Sequence, residues 1–160
     1  MCRYYLDANV FIQAKNGPYS MDIVPSFWNL LDKQAKAGVV CSSTTVYVEL
    51  VAGDDELADW AKERKGTGLF REPSADVQRF FNQIAVYVHT RYIEHQAQEF
   101  LDGADAWVIA HAKVEDALVV THENLVNEYS KKPKIPNICR HFDVAWLNVY
   151  QMLRELGARF

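Results

Sequence analysis

Four consecutive apolar residues, Ala117-Leu118-Val119-Val120, give way without a turn to the polar Thr121-His122-Glu123. So short and uniformly apolar a run has no polar face to offer water, so it reads as a strand covered on both sides. Such strands belong to parallel sheets packed by helices, which requires strands and helices to alternate along the chain. The remaining sequence supplies that alternation. Residues 2–6 are expected as a strand and 9–15 as a short helix, with a turn at Asn16-Gly17-Pro18. A helix over 23–37 has Pro25 near its start and Gly38 past its end. Val39-Val40-Cys41 reads as a second strand. The stretch 44–51 is ambiguous: its β-branched residues favour a strand, whereas Val46, Leu50 and Val51 around Glu49 allow a helix capped by Ser42 or Ser43. The alternation decides for helix.

Further on, 54–64 reads as a polar helix and 65–68 as a loop. A long helix over 75–92 carries Val77, Phe80, Phe81, Ile84, Val88 and Tyr92 on one stripe. That stripe suits a core or a dimer face equally. A helix over 103–114 precedes the apolar run. Lys131-Lys132-Pro133-Lys134 is a basic loop, 135–139 a last short strand limited by Pro136, and 143–156 a closing helix. The expected class is α/β: an α/β/α sandwich with a mainly parallel central sheet of four to five short strands, in a single domain over 1–160.

Composition narrows the functional classes. A net charge of −4 argues against coating nucleic acid by charge alone, although an acidic metal site contributes negative charge that its cation cancels. Three cysteines without a CxxC pair argue against a disulfide framework or a cysteine-rich zinc site. The five histidines show no HExxH or paired-ligand spacing, which argues against zinc; His122 is the one adjacent to the site proposed below. With no signal-peptide apolar stretch and no run near the ~18 residues a membrane span needs, a soluble cytoplasmic protein is expected.

Four acids stand at comparable junctions. Asp7 closes Tyr4-Tyr5-Leu6 and opens Ala8-Asn9-Val10, the mouth of an α/β sheet where such folds place ligands. Glu49 lies within the apolar Val46-Tyr47-Val48-Glu49-Leu50-Val51. Asp105 lies in Asp102-Gly103-Ala104-Asp105-Ala106-Trp107, with Asp102 the better N-cap candidate. Glu123 follows the apolar run. Each acid has a plainer reading, Asp7 as a helix cap and the others as surface or first-turn acids. As a set they imply a hard cation, because crowded carboxylates repel unless a charge neutralises them. Mg²⁺ or Mn²⁺ is the simplest choice, and it suits phosphodiester hydrolysis.

In these pieces the chain resembles the PIN-domain nucleases, over nearly its whole length and in order. The matching segments are Tyr5-Leu6-Asp7-Ala8-Asn9, Val48-Glu49-Leu50, Gly103-Ala104-Asp105-Ala106-Trp107-Val108-Ile109-Ala110 and Val119-Val120-Thr121-His122-Glu123. The resemblance implies a PIN-like α/β/α fold, three or four acids on Mg²⁺ or Mn²⁺, and hydrolysis of single-stranded RNA to 5′-phosphate and 3′-hydroxyl ends. It also implies kinship with VapC-like toxins, often dimeric and inhibited by a protein antitoxin. Carried over by position, Asp7, Glu49 and Asp105 match the core ligands, while Asn9 and Thr121 match residues supporting the first acid. The fourth position departs from the family's Asp: Glu123 is one methylene longer, which points to one metal rather than two, with Asn124 beside it as a substitute.

Other residues divide between solvent and substrate. Lys131, Lys132 and Lys134 suit either a solvated loop or an RNA backbone, as do Arg64, Lys65 and Arg71. Trp107 and Trp146 sit on helical stripes and read as core. Two other functions compete with the toxin ribonuclease. A haloacid dehalogenase-like phosphatase would use Asp7 as nucleophile, but Asn9 stands where a second Asp belongs. A catalytically impaired PIN-like scaffold would bind RNA or protein without cleaving.

Overall fold

The computed structural model describes residues 2–160. Its sheet is five-stranded and wholly parallel, with the spatial order β3-β2-β1-β4-β5. The strands are β1 (Tyr4–Leu6), β2 (Val40–Ser43), β3 (Phe70–Arg71), β4 (Leu118–Val120) and β5 (Trp146–Leu147). Between and after them run α1 (Ala8–Asn16), α2 (Pro25–Lys36), α3 (Thr44–Ala52), α4 (Glu56–Glu63), α5 (Ala75–Arg91), α6 (Glu94–Asp102), α7 (Asp105–Glu115), α8 (Ile135–His141) and α9 (Val149–Glu155).

The strand order matters more than the strand count. The chain builds outward from β1 through β2 to β3, then returns to lay β4 on the other side of β1. The reversal falls between β1 and β4, and open α/β sheets bind ligands outside the carboxyl ends of the strands at such a switch point. Tyr5 pairs with Val119 and Leu6 with Val120, so the two strands end level. Asp7 and Thr121 are the next residues after them.

Local chemistry explains most boundaries. Asp7, Ser43, Asp55, Ser74 and Asn148 each accept a backbone N–H at the start of a helix, satisfying donors that the first turn leaves free. The Ser43 cap settles the 44–51 stretch as helix. Pro25 opens α2, and Gly38, with φ of +74°, makes the left-handed turn into β2. On α5, Val77, Ile84 and Val88 are buried and Phe80 and Phe81 pack on the core, as does Tyr92 just past the helix end, so this stripe is a core face. Phe81 stacks on Trp107 with centroids 3.9 Å apart. Tyr4, Tyr5, Leu6, Val119 and Val120 are fully buried, as strands covered on both faces must be.

Three expectations are corrected. Residues 135–139 belong to helix α8, not a strand: Pro136 sits in the first turn, where its missing N–H costs nothing. The last strand is Trp146–Leu147, inside the stretch read as the closing helix, which begins only at Val149 behind the Asn148 capping box. Cys2 and Cys41 form a disulfide, with Cα atoms 6.1 Å apart, leaving Cys139 free and buried. The parallel pairing of β1 with β2 brings these distant cysteines together, a proximity that spacing cannot reveal. Among the described residues, no helix is long and apolar enough to cross a membrane.

Candidate active site

Asp7 is the best-anchored acid. Its backbone N–H donates to Val120 O at 3.1 Å, extending the β1–β4 ladder by one bond. Its Oδ1 accepts from the Val10 N–H at 3.1 Å and its Oδ2 from the Thr121 hydroxyl at 2.7 Å. The residue is 1% exposed. The capping reading of Asp7 therefore holds, and the same carboxylate also faces the switch point. Burial pushes its pKa up to about 6, against the lowering effect of the Thr121 and Val10 donors, and the negative charge of Glu123 adds to the rise.

Thr121 fastens two acids with one hydroxyl. While donating to Asp7, its Oγ1 accepts the Glu123 N–H at 3.1 Å. Glu123 then reaches α8, where its Oε1 accepts the Ile135 N–H at 2.9 Å. An aspartate, one methylene shorter, would have less reach toward that amide. Glu49, exposed on α3, turns its Oε1 to the Ala104 N–H at 2.9 Å, just before α7 begins.

Asp105 opens α7. Burial is the largest cause of its pKa rise to about 8; the charges of Asp7, Glu123 and Glu49 follow in that order, and Lys134 opposes them. The charges of the other three acids of the expected site, and of Lys134, thus all reach Asp105. Asp102 is not the cap of α7; it ends α6 and accepts from Gln98. Asn9 is exposed, and among the described residues its side chain makes no hydrogen bond to Asp7; its backbone N–H supports that carboxylate instead. Lys131, Lys132 and Asn124 are exposed, whereas Lys134 is half-buried. His122 lines a separate cavity with Tyr19 and Tyr150.

Four carboxylates are hard oxygen donors, the set that suits Mg²⁺ or Mn²⁺. A carboxyl pushed up to about 8, first by burial and then by three acidic neighbours, is a condition a cation relieves. As the side chains stand, no three of the described His, Cys, Asp or Glu residues converge on one point. Glu49 and Glu123 are turned to the Ala104 and Ile135 amides. The donor chemistry fits a cation; closing a ligand set around it requires those two carboxylates to swing or to share their amides. Reasoning from sequence found the acids but missed these backbone donors, which depend on where α6, α7 and α8 meet.

No curated protein matches the chain. Several solved structures do. VapBC2 from Rickettsia felis bound to a DNA fragment from their promoter matches at 19% identity, with a TM-score of 0.55, covering 92% of this chain and 98% of that one. FitAcB from Neisseria gonorrhoeae matches at 22% identity and a TM-score of 0.54, with the same coverage. DNA-bound VapBC from Salmonella typhimurium matches at 16% and 0.52, again over 92% and 98%. Likeness at this identity establishes the fold, the PIN-like α/β/α sandwich expected from sequence. A family model described as a domain of unknown function covers residues 4–160, and the chain belongs to that family, DUF4411.

Proposed function

We propose that the chain is a metal-dependent endoribonuclease that cleaves single-stranded RNA, and that it is the toxin of a type II toxin–antitoxin pair. The observation carrying this reading is Asp105, whose carboxyl is raised by burial and by the charges of Asp7, Glu123 and Glu49 and lowered by that of Lys134. Solved neighbours that are VapBC and FitAB assemblies support the toxin assignment and a protein antitoxin. A single domain, a homodimer and a cytoplasmic setting belong to the same reading.

The four acids would hold Mg²⁺ or Mn²⁺. When bound, the ion supplies Lewis-acid polarisation of the phosphodiester and lowers the pKa of an attacking water. The chain's own residues do the rest. Thr121 and the Val10 N–H fix the Asp7 carboxylate in one orientation. Asp105 retains a proton until a cation or a rise in pH displaces it. Lys134 places a positive charge beside the acids, suited to an approaching phosphate. Lys131 and Lys132, exposed on the same loop, extend that charge outward.

Replacing Asp7 by Asn tests the assignment. Loss of RNA cleavage and of growth inhibition, with an unchanged circular dichroism spectrum, supports it; full activity in Asp7→Asn sinks it. One observation favours a second reading, a non-catalytic RNA- or protein-binding PIN-like module: Glu49 and Glu123 are engaged by backbone amides. Metal-dependent cleavage that vanishes in Glu49→Ala rejects it. A phosphatase using Asp7 as nucleophile is disfavoured, because both carboxylate oxygens accept hydrogen bonds and the residue is buried. Trapping an aspartyl-phosphate on Asp7 would revive it.

A further inference from the structure

A polar cleft of about 600 Å³ lies between the carboxyl-terminal end of α5, helix α8 and the loop after β4. Its walls carry Tyr87, Arg91, Tyr92, Tyr129 and Arg140, with Glu128 the single acid. In a chain of net charge −4, two arginines among three tyrosines form a local exception. We propose that this cleft is a single-stranded nucleic-acid subsite, taking an unpaired base on its tyrosines and the adjoining phosphates on Arg91 and Arg140.

Three features support that occupant. First, an aromatic face is free. Tyr129 is 81% exposed, yet its backbone is pinned by the Asn127 side chain, which accepts the Tyr129 N–H at 2.8 Å. With its turn already fixed, stacking costs the rotamer freedom of the ring but little ordering of the loop. Second, the remaining aromatics already stack with flat or cationic groups. Tyr87 lies on His141 at 3.6 Å between centroids, and the Arg91 guanidinium sits 5.1 Å from the Tyr92 ring. Stacking platforms combined with arginines bind single strands without sequence readout.

Third, the cleft and the acids are built on the same segment. Glu123 is tied to Ile135 at the start of α8, and Asn137 on α8 clamps Val126 through two hydrogen bonds of 3.0 and 2.8 Å. Glu128 and Tyr129 follow directly. The segment that carries Tyr129 is thus tied to the same helix as Glu123. The choice of ligand rests on the nuclease reading of those acids; the cleft itself does not.

The test is binding of a fluorescein-labelled single-stranded RNA by anisotropy, with EDTA present so that cleavage chemistry plays no part. Tyr129→Ala is expected to weaken binding about tenfold. Arg91→Ala with Arg140→Ala is expected to flatten the log–log salt dependence by about 0.7 per arginine. A duplex of the same sequence is expected to bind more weakly than the single strand. Wild-type affinity in these variants, equal affinity for duplex, or no measurable RNA binding by the parent chain overturns the proposal. Unchanged RNA affinity together with an altered oligomeric state by light scattering also overturns it, assigning the cleft to a protein contact. Failure of the nuclease reading appears separately, as absent cleavage with the Tyr129 effect on binding intact.

Discussion

The Thr121 hydroxyl joins Asp7 to Glu123: it donates to the Asp7 carboxylate at 2.7 Å and accepts the Glu123 N–H at 3.1 Å. Two strands that end level, β1 and β4, place these residues next to each other although 114 positions separate Thr121 from Asp7. Replacing Thr121 by Val keeps the shape and removes both bonds, leaving Asp7 buried with one donor fewer. A loss of about 1–3 kcal/mol is expected in urea unfolding, with weaker cation binding. A stability equal to the parent's would show that this link contributes nothing.

Stability should depend on pH in a direction set by the acids. Asp7 and Asp105 are raised to about 6 and about 8 from ordinary carboxylate values. The folded chain therefore holds protons that the unfolded chain has released, and stability falls as pH rises toward each folded value. His111 acts oppositely. Burial holds it down to about 4, so its contribution is lost as pH falls below about 6.5. Between pH 6.5 and 8 Asp105 dominates, and the Tm in EDTA is expected to fall by an amount equivalent to about 1 kcal/mol per pH unit. Excess Mg²⁺ or Mn²⁺ should flatten that slope; a Tm rising over this window contradicts the assignment.

Glu49 separates structure from charge. Glu49→Gln keeps an oxygen for the Ala104 N–H, so stability is expected to stay within about 0.5 kcal/mol. Cleavage should drop by at least the roughly 10–100-fold typical of groups that merely support a metal. Parallel thermal melts and RNA cleavage rates check this, and equal rates would remove Glu49 from the site.

Glu123 is tested by shortening it. Glu123→Asp is expected to lose its bond to the Ile135 N–H and cost about 1 kcal/mol, while Glu123→Gln retains the bond and most of the stability. Equal melting of both variants would mean that the extra methylene has no structural role.

The sequence is most readable where one residue does one thing. The Tyr4–Leu6 and Leu118–Val120 strands are apolar throughout because both faces are covered, and the acids that follow them stand out. Alternation alone points to a helix over 44–51, and the Ser43 cap supplies the local reason. Elements with little pattern of their own were hidden. Phe70–Arg71 and Trp146–Leu147 are strands of two residues, too short for any periodicity and held by their neighbours in the sheet. Pro136 marked a boundary correctly but of the wrong element, since proline is as much at home in the first turn of a helix as at the edge of a strand. In the site, carboxylates were visible and their partners were not. The Ala104 and Ile135 amides carry no side-chain signature, and Asn9 supports Asp7 through its backbone rather than its side chain.

The central claim is that Asp7, Glu49 and Glu123 form one cation site with Asp105. Calorimetric titration of Mn²⁺ into the parent chain and into Asp105→Asn tests it most directly. The account predicts saturable binding near one equivalent to the parent chain, with proton release as the raised carboxyls ionise, and loss of that binding in the variant. No binding to the parent chain, or identical binding to both, would contradict it.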